Sequence, residues 1–177
     1  MLLSKNISVT GIDYNEIYVK AAQESIEQNN LTSSIEVEYK SVYDIPAHPP
    51  IILTLPSDKS KKRYFDAAYF SGSISLLPSS VEALRAVAEV VKPGGLIYVT
   101  QTYQRKSLPL LKYIKPLLKF VTSIDFGQLV MIDDVEDLWS GSGLDVIKHE
   151  VIPGSIDNRY QAAYLTILKV PNRIVSQ

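Results

Sequence analysis

Asp13 is the residue best placed by type and position to do chemistry. It closes the run Ile7-Ser8-Val9-Thr10-Gly11-Ile12-Asp13, which reads as a strand ending in an acid. A carboxylate at the end of a strand can accept hydrogen bonds from two neighbouring hydroxyls, as an acid does on a ribose. It can equally do no more than cap the helix that follows. Tyr14 beside it can lie against a planar ring or serve as core. Asp133-Asp134-Val135-Glu136-Asp137 brings four carboxylates together. That looks like a metal site, but acids favour the first turn of a helix for dipole reasons, and we expect no metal. The run Lys59-Ser60-Lys61-Lys62-Arg63 can touch phosphate or a membrane surface, and its ordinary reading is a solvated loop. His149 lies inside a strand pattern and reads as structural, and His48 lies in a proline-rich loop. Tyr103, just past a predicted strand, is the one candidate for a catalytic base.

The elements that must hold these residues centre on Phe65 to Thr100. Phe65 to Phe70 reads as a buried strand and Leu96 to Thr100 as a second one. Between them Ser79-Ser80-Val81-Glu82 forms a capping box, and Val81, Leu84, Ala88 and Val91 recur at helical spacing. Pro93-Gly94-Gly95 ends that helix. Strand, helix, strand at this length is a right-handed βαβ unit, whose ligands bind beyond the carboxyl ends of the strands. Upstream, Met1 to Asn6 reads as the tail of a helix. Asn15 can cap a helix with Tyr18, Ala21, Ala22 and Ile26 on one face. Ile35 to Lys40 alternates like a strand at a sheet edge. Downstream, Ser107 to Val121 is apolar and basic at helical spacing and can cover a pocket or pack on the sheet. The region 104–130 is expected as such a cover. A short helix ends at Gly141-Ser142-Gly143, and Leu144–Val151 and Gln161–Val170 should pair antiparallel.

The bulk numbers narrow the field. A chain of 177 residues fits one domain, 1–177. With 18 basic and 19 acidic residues the net charge is −1, so nothing global points to nucleic acid. The absence of cysteine excludes disulfides and thiolate chemistry. No apolar run approaches the ~20 residues of a membrane span, and a cytoplasmic protein is expected. The fold class is α/β: a three-layer, Rossmann-like sheet, mostly parallel with a reversed last strand.

In their order, Val9–Asn15, Glu36–Pro46, Phe65–Pro78, Val91–Thr100 and the closing strand pair resemble the class I S-adenosylmethionine-dependent methyltransferases. The resemblance implies transfer of a methyl group from S-adenosyl-L-methionine to a small-molecule or protein acceptor. It places Asp13 on the ribose, Tyr14 on the adenine, and Ser41 or Asp44 with the Val42 N–H at the adenine edge. It places Ser71 and Gly72, with Ser73, beside the sulfonium. The family's first strand and glycine-rich loop have no counterpart, so the chain reads as N-terminally incomplete. Gly141-Ser142-Gly143 is no substitute, since it follows a helix and lacks a third glycine. Two other readings stand beside this one. One is a nicotinamide-dependent oxidoreductase, which leaves the Lys-Pro-Gly-Gly turn and the closing pair unexplained. The other is a non-catalytic interaction module or truncated fragment, with a partner chain at exposed sheet edges.

Overall fold

The computed structural model describes residues 7–50, 64–105, 132 and 135–172. The expected helix tail at 1–6, the basic run 59–63, Asp133, Asp134 and the cover beyond Arg105 lie outside the described residues. The chain falls into two compact units, one ending at Tyr64 and one beginning at Phe65.

In the first unit, β1 (Val9–Asp13) and β2 (Ile35–Tyr39) pair in parallel through α1 (Glu16–Gln28). The register sets Val9 against Ile35 and Asp13 against Tyr39. Helix α1 starts where Asn15 accepts hydrogen bonds from the N–H groups of Ile17 and Tyr18, filling donors that no helical turn can fill. Its inward face is not the one expected from the sequence. Val19 is buried and Ala22 and Ile26 are half-buried, whereas Tyr18 and Ala21 point to solvent. The stripe is shifted by one position because Val19, a good core residue, falls between the positions the spacing picked. The charged side of β2 is satisfied rather than solvated: Thr10 Oγ1 donates to Glu36 at 2.8 Å, and Glu38 pairs with Lys40 at 2.7 Å. Lys40 Nζ also donates to the Pro49 carbonyl and so ties down the loop after β2.

The second unit is a four-stranded sheet in the order β3-β4-β6-β5. These strands are β3 (Phe65–Ser71), β4 (Val91–Gln104), β5 (Asp145–Val151) and β6 (Gln161–Lys169). β3 and β4 are parallel, and β6 runs antiparallel to both β4 and β5. The closing antiparallel pair and the reversed last strand are therefore as expected. Helices α2 (Ser80–Ala88) and α3 (Val135–Ser142) pack against each other. The core is built from Ala83, Leu84 and Val87 of α2, Val135 and Trp139 of α3, and Ile97, Val99 and Leu168 of the sheet.

Three details differ from the sequence reading. α2 stops at Ala88, so Val91 belongs to the next strand, and of the residues picked within the helix only Leu84 is fully buried. β4 runs on to Gln104, so Tyr103 lies inside the strand and not past it. In β3 only Phe70 is buried, because among the described residues this strand pairs on one side alone.

The Pro-Gly turn explains the length of β4. Val91 pairs with Phe65 and Leu96 with Ala67, so residues 92–95 bulge out between them. The bulge is still bonded on its other side, Gly94 N to Val170 O and Val170 N to Gly95 O, both at 2.9 Å. Gly94 has φ of 74°, in the left-handed region. At Gly95 a Cβ would lie 2.6 Å from Val91 Cγ1 and 2.9 Å from the Asp66 carbonyl, so only glycine fits.

Candidate functional site

At the carboxyl end of β1 the chain turns outward and Asp13 is exposed. One carboxylate oxygen, Oδ1, accepts the Asn15 N–H at 2.7 Å, and the Asp13 carbonyl accepts the Lys40 N–H at 3.0 Å. The carboxylate is thus aimed by the backbone, and its second oxygen has no partner among the described residues. Of the two sequence readings of Asp13, the structure shows the capping one: one oxygen braces the start of α1.

Tyr14 is 72% exposed and stacks on Tyr39, with ring centroids 5.8 Å apart and planes 19° from parallel. Since β1 and β2 are parallel, their carboxyl ends lie side by side. The residues after Tyr39 therefore rise next to Asp13 and Tyr14. Ser41 caps a short 3-10 turn, Val42–Asp44, by accepting the Tyr43 N–H at 3.3 Å. The Val42 N–H has no partner among the described residues, and Asp44 is exposed. Asp13, Tyr14, Ser41, Val42 and Asp44 are thereby brought to one end of one sheet.

Ser71 and Gly72 belong to the second unit, at the carboxyl end of β3. The Gly72 N–H donates to the Thr100 carbonyl at 2.8 Å. Gly72 has φ of 66°, and among the described residues, its chain neighbours apart, no atom lies within 4 Å of where a Cβ would stand. The left-handed backbone, rather than crowding by the described residues, is what calls for glycine here. Beside it the Tyr69 hydroxyl meets Thr100 Oγ1 at 2.8 Å. Hydrogen bonding with Ser71, and then with Thr100, holds this phenol below the usual range. Nothing in the sequence singles out Tyr69, because it lies within the apolar run Phe65–Phe70, which reads as a buried strand.

Tyr103 is enclosed. Its side chain is 2% exposed, tilted against Tyr164 at 5.7 Å and His149 at 6.1 Å. Burial pushes its phenol well above the ordinary value, so it keeps its proton at neutral pH and is badly suited to take one from a substrate. Thr166 lies close, but its hydroxyl is hydrogen-bonded to His149 Nδ1 at 2.8 Å, and the Tyr103 hydroxyl has no hydrogen-bond partner among the described residues. The His149 ring stacks on Tyr164 at 4.7 Å and 8°. Partial burial among these rings lowers its pKa, although one side of the ring stays open to solvent. Among the described residues no group of acids and histidines is arranged to hold a metal ion, and no helix is long and apolar enough to cross a membrane.

Residues 1–99 match the family described as Methyltransferase domain, more than half of the 177-residue chain. The chain belongs to that family, within the class I, Rossmann-like, S-adenosylmethionine-dependent methyltransferases. No curated protein matches it in sequence. Among solved structures it is similar to a SAM-dependent methyltransferase from Methanosarcina mazei, at 16% identity and a TM-score of 0.62, covering 93% of this chain and 82% of that one. It is similar to an O-methyltransferase family protein from Burkholderia thailandensis, at 17% identity and a TM-score of 0.62, over 94% of this chain and 44% of that one. It is also similar to the cyclase SpnF, at 15% identity and a TM-score of 0.65, over 93% of this chain and 67% of that one. At these identities the likeness speaks for the fold.

Proposed function

We propose that this chain, read as one domain over residues 1–177, binds S-adenosyl-L-methionine and methylates a small-molecule or protein acceptor in the cytoplasm. The observation that carries the reading is the Asp13 carboxylate, fixed by the Asn15 N–H at the end of β1, with its second oxygen unpartnered among the described residues. Such an oxygen suits a ribose hydroxyl, and Tyr14 offers an exposed ring beside it for the adenine. The Val42 N–H, without a partner among the described residues, can meet the polar edge of the base with Ser41 or Asp44. Within the first unit these residues fit an adenosine in kind: an acid for a ribose hydroxyl, an aromatic face and a backbone N–H. Ser71 and Gly72 belong to the second unit, and their assignment to the reactive end of the donor rests on the family resemblance alone.

When bound, the donor supplies a methyl group already activated on a sulfonium, so the protein's share is chiefly to position and to exclude water. A base is needed only where the acceptor must lose a proton. The buried Tyr103 is not suited to that step, so we favour acceptors that need no strong base. The near balance of charge favours no nucleic acid as acceptor.

The alternative is a non-catalytic, methyltransferase-like module or a truncated inactive fragment. What favours it is that β1 and β3 each pair on one side only among the described residues, leaving edges that suit a partner chain. The description of SpnF as a cyclase adds that this fold is not bound to one chemistry. Calorimetric titration with S-adenosylmethionine and S-adenosylhomocysteine decides. The donor reading expects binding, weakened by Asp13→Ala by roughly ten- to a hundredfold, the worth of a charge-assisted hydrogen bond. Absence of binding would leave the interaction module.

A further inference from the structure

Tyr39 has no role in the reading above, yet it is the residue on which the exposed ring of Tyr14 rests. The two are brought together by the fold itself. In the parallel register Tyr39 stands opposite Asp13, and the Lys40 N–H bonds the Asp13 carbonyl, so the residue after Asp13 emerges beside the Tyr39 ring. A side chain as exposed as Tyr14 would ordinarily sample several rotamers. Stacking at 5.8 Å with planes 19° apart is the offset arrangement aromatic pairs prefer, and it holds the Tyr14 ring in one orientation. The spacing is too close for a third ring to enter between them, so a planar ligand must lie on an outer face.

Tyr39 itself is 55% exposed. A tyrosine at the end of a strand can leave one face to water and rest the other on a neighbour. Here the neighbour is Tyr14, and the pair together presents a flat apolar step next to a fixed carboxylate.

We propose that Tyr39 is a positioning residue that preorganises Tyr14 as the stacking platform for the base of an adenine nucleoside. This rests on the donor reading above and deepens it. Without Tyr39, binding must also freeze the Tyr14 side chain, and the cost of immobilising one such side chain corresponds to a loss of roughly three- to tenfold in affinity. The role is indirect. It requires that Tyr39 matter only when Tyr14 is present.

The test is a double-mutant cycle read by calorimetry with S-adenosylhomocysteine and with adenosine. Tyr39→Ala and Tyr39→Leu are expected to weaken both ligands by the same roughly three- to tenfold, and Tyr39→Phe, which keeps the stack, to restore wild-type affinity. In a Tyr14→Ala background, Tyr39→Ala should cost nothing further. Far-UV circular dichroism checks that each variant is folded, and Tyr39→Leu stands in if the alanine variant is not. Unchanged affinity in a folded Tyr39→Leu chain would overturn the inference while leaving the donor reading intact. An equal loss with and without Tyr14 would also overturn it, by showing a general effect on β2. A wild-type chain that binds neither ligand would overturn the donor reading and this inference with it.

Discussion

His149 shows how a single side chain can carry a pH dependence that has nothing to do with catalysis. Its imidazole is flanked by Tyr164, Tyr103 and Trp139 and bonded to Thr166, and partial burial depresses its pKa. A depressed value in the folded state means that the unfolded chain binds the proton more readily. Stability is then fully present above the ordinary histidine value of about 6.5 and declines as pH falls below it toward the folded value. Urea midpoints measured between about pH 5 and 8 should be flat at the upper end and fall at the lower. In His149→Phe that part of the slope should vanish; a slope that persists would assign it to other groups. Its structural role was legible, since the histidine sits inside a strand pattern. Its stacking partner was not, because the register of β5 on β6 has a bulge between Val146 and Lys148 that alternation alone does not reveal. Asp13 was legible for a simpler reason: a strand that ends in an acid followed by a capping asparagine signals its geometry locally. Tyr103 was not, because whether a residue lies inside or just past a strand decides its burial, and strand ends are what local sequence marks least well.

Among the elements, the turn at Lys92-Pro93-Gly94-Gly95 combines features the sequence announced with one it did not. A Pro-Gly-Gly stop between a helix and a strand was plain. That the turn stays bonded to Val170 and counts as part of β4 follows from a long-range partner, which no local pattern contains. The two glycines serve different needs: Gly94 supplies a positive φ and Gly95 supplies space. Gly95→Ala forces its methyl against Val91 and two backbone oxygens. It should destabilise the chain by about 1–3 kcal/mol, the usual cost of overpacking. The readout is the urea midpoint, and an unchanged midpoint would show that the turn yields. The helix faces were read less well than the helices themselves. Spacing located α1 and α2, but in both the buried stripe is offset, because which of several apolar positions faces inward is settled by the sheet beneath.

The molecule as a whole is unevenly built. Among the described residues, only Val19, Ile45 and Pro50 are buried ahead of Phe65. A two-stranded sheet under one helix is marginal by itself, while the second unit has four strands and two packed helices. Far-UV circular dichroism samples both units, whereas fluorescence of the sole tryptophan, Trp139, samples only the second. With urea the dichroism should begin to fall before the fluorescence shifts. Coincident transitions would show that the two units unfold as one. The α/β class, the order of elements and the reversed final strand were all legible, because each is written in short local patterns whose sequence along the chain is itself the signal. The division at Tyr64 was not, since it depends on which strands find neighbours.

Strands β1 and β3 each keep one row of backbone N–H and C=O groups unpaired among the described residues. In β3 that row runs along Ala67-Ala68-Tyr69-Phe70, a stretch with no charge and no proline. Such a row is a template for the backbone of any extended chain, and identical chains in a concentrated solution are the nearest supply. We expect concentrated solutions of the purified protein to lose monomer along this row, one copy adding to the next, strand upon strand; light scattering followed over time reads it, and a stable monomer would show that the row is covered.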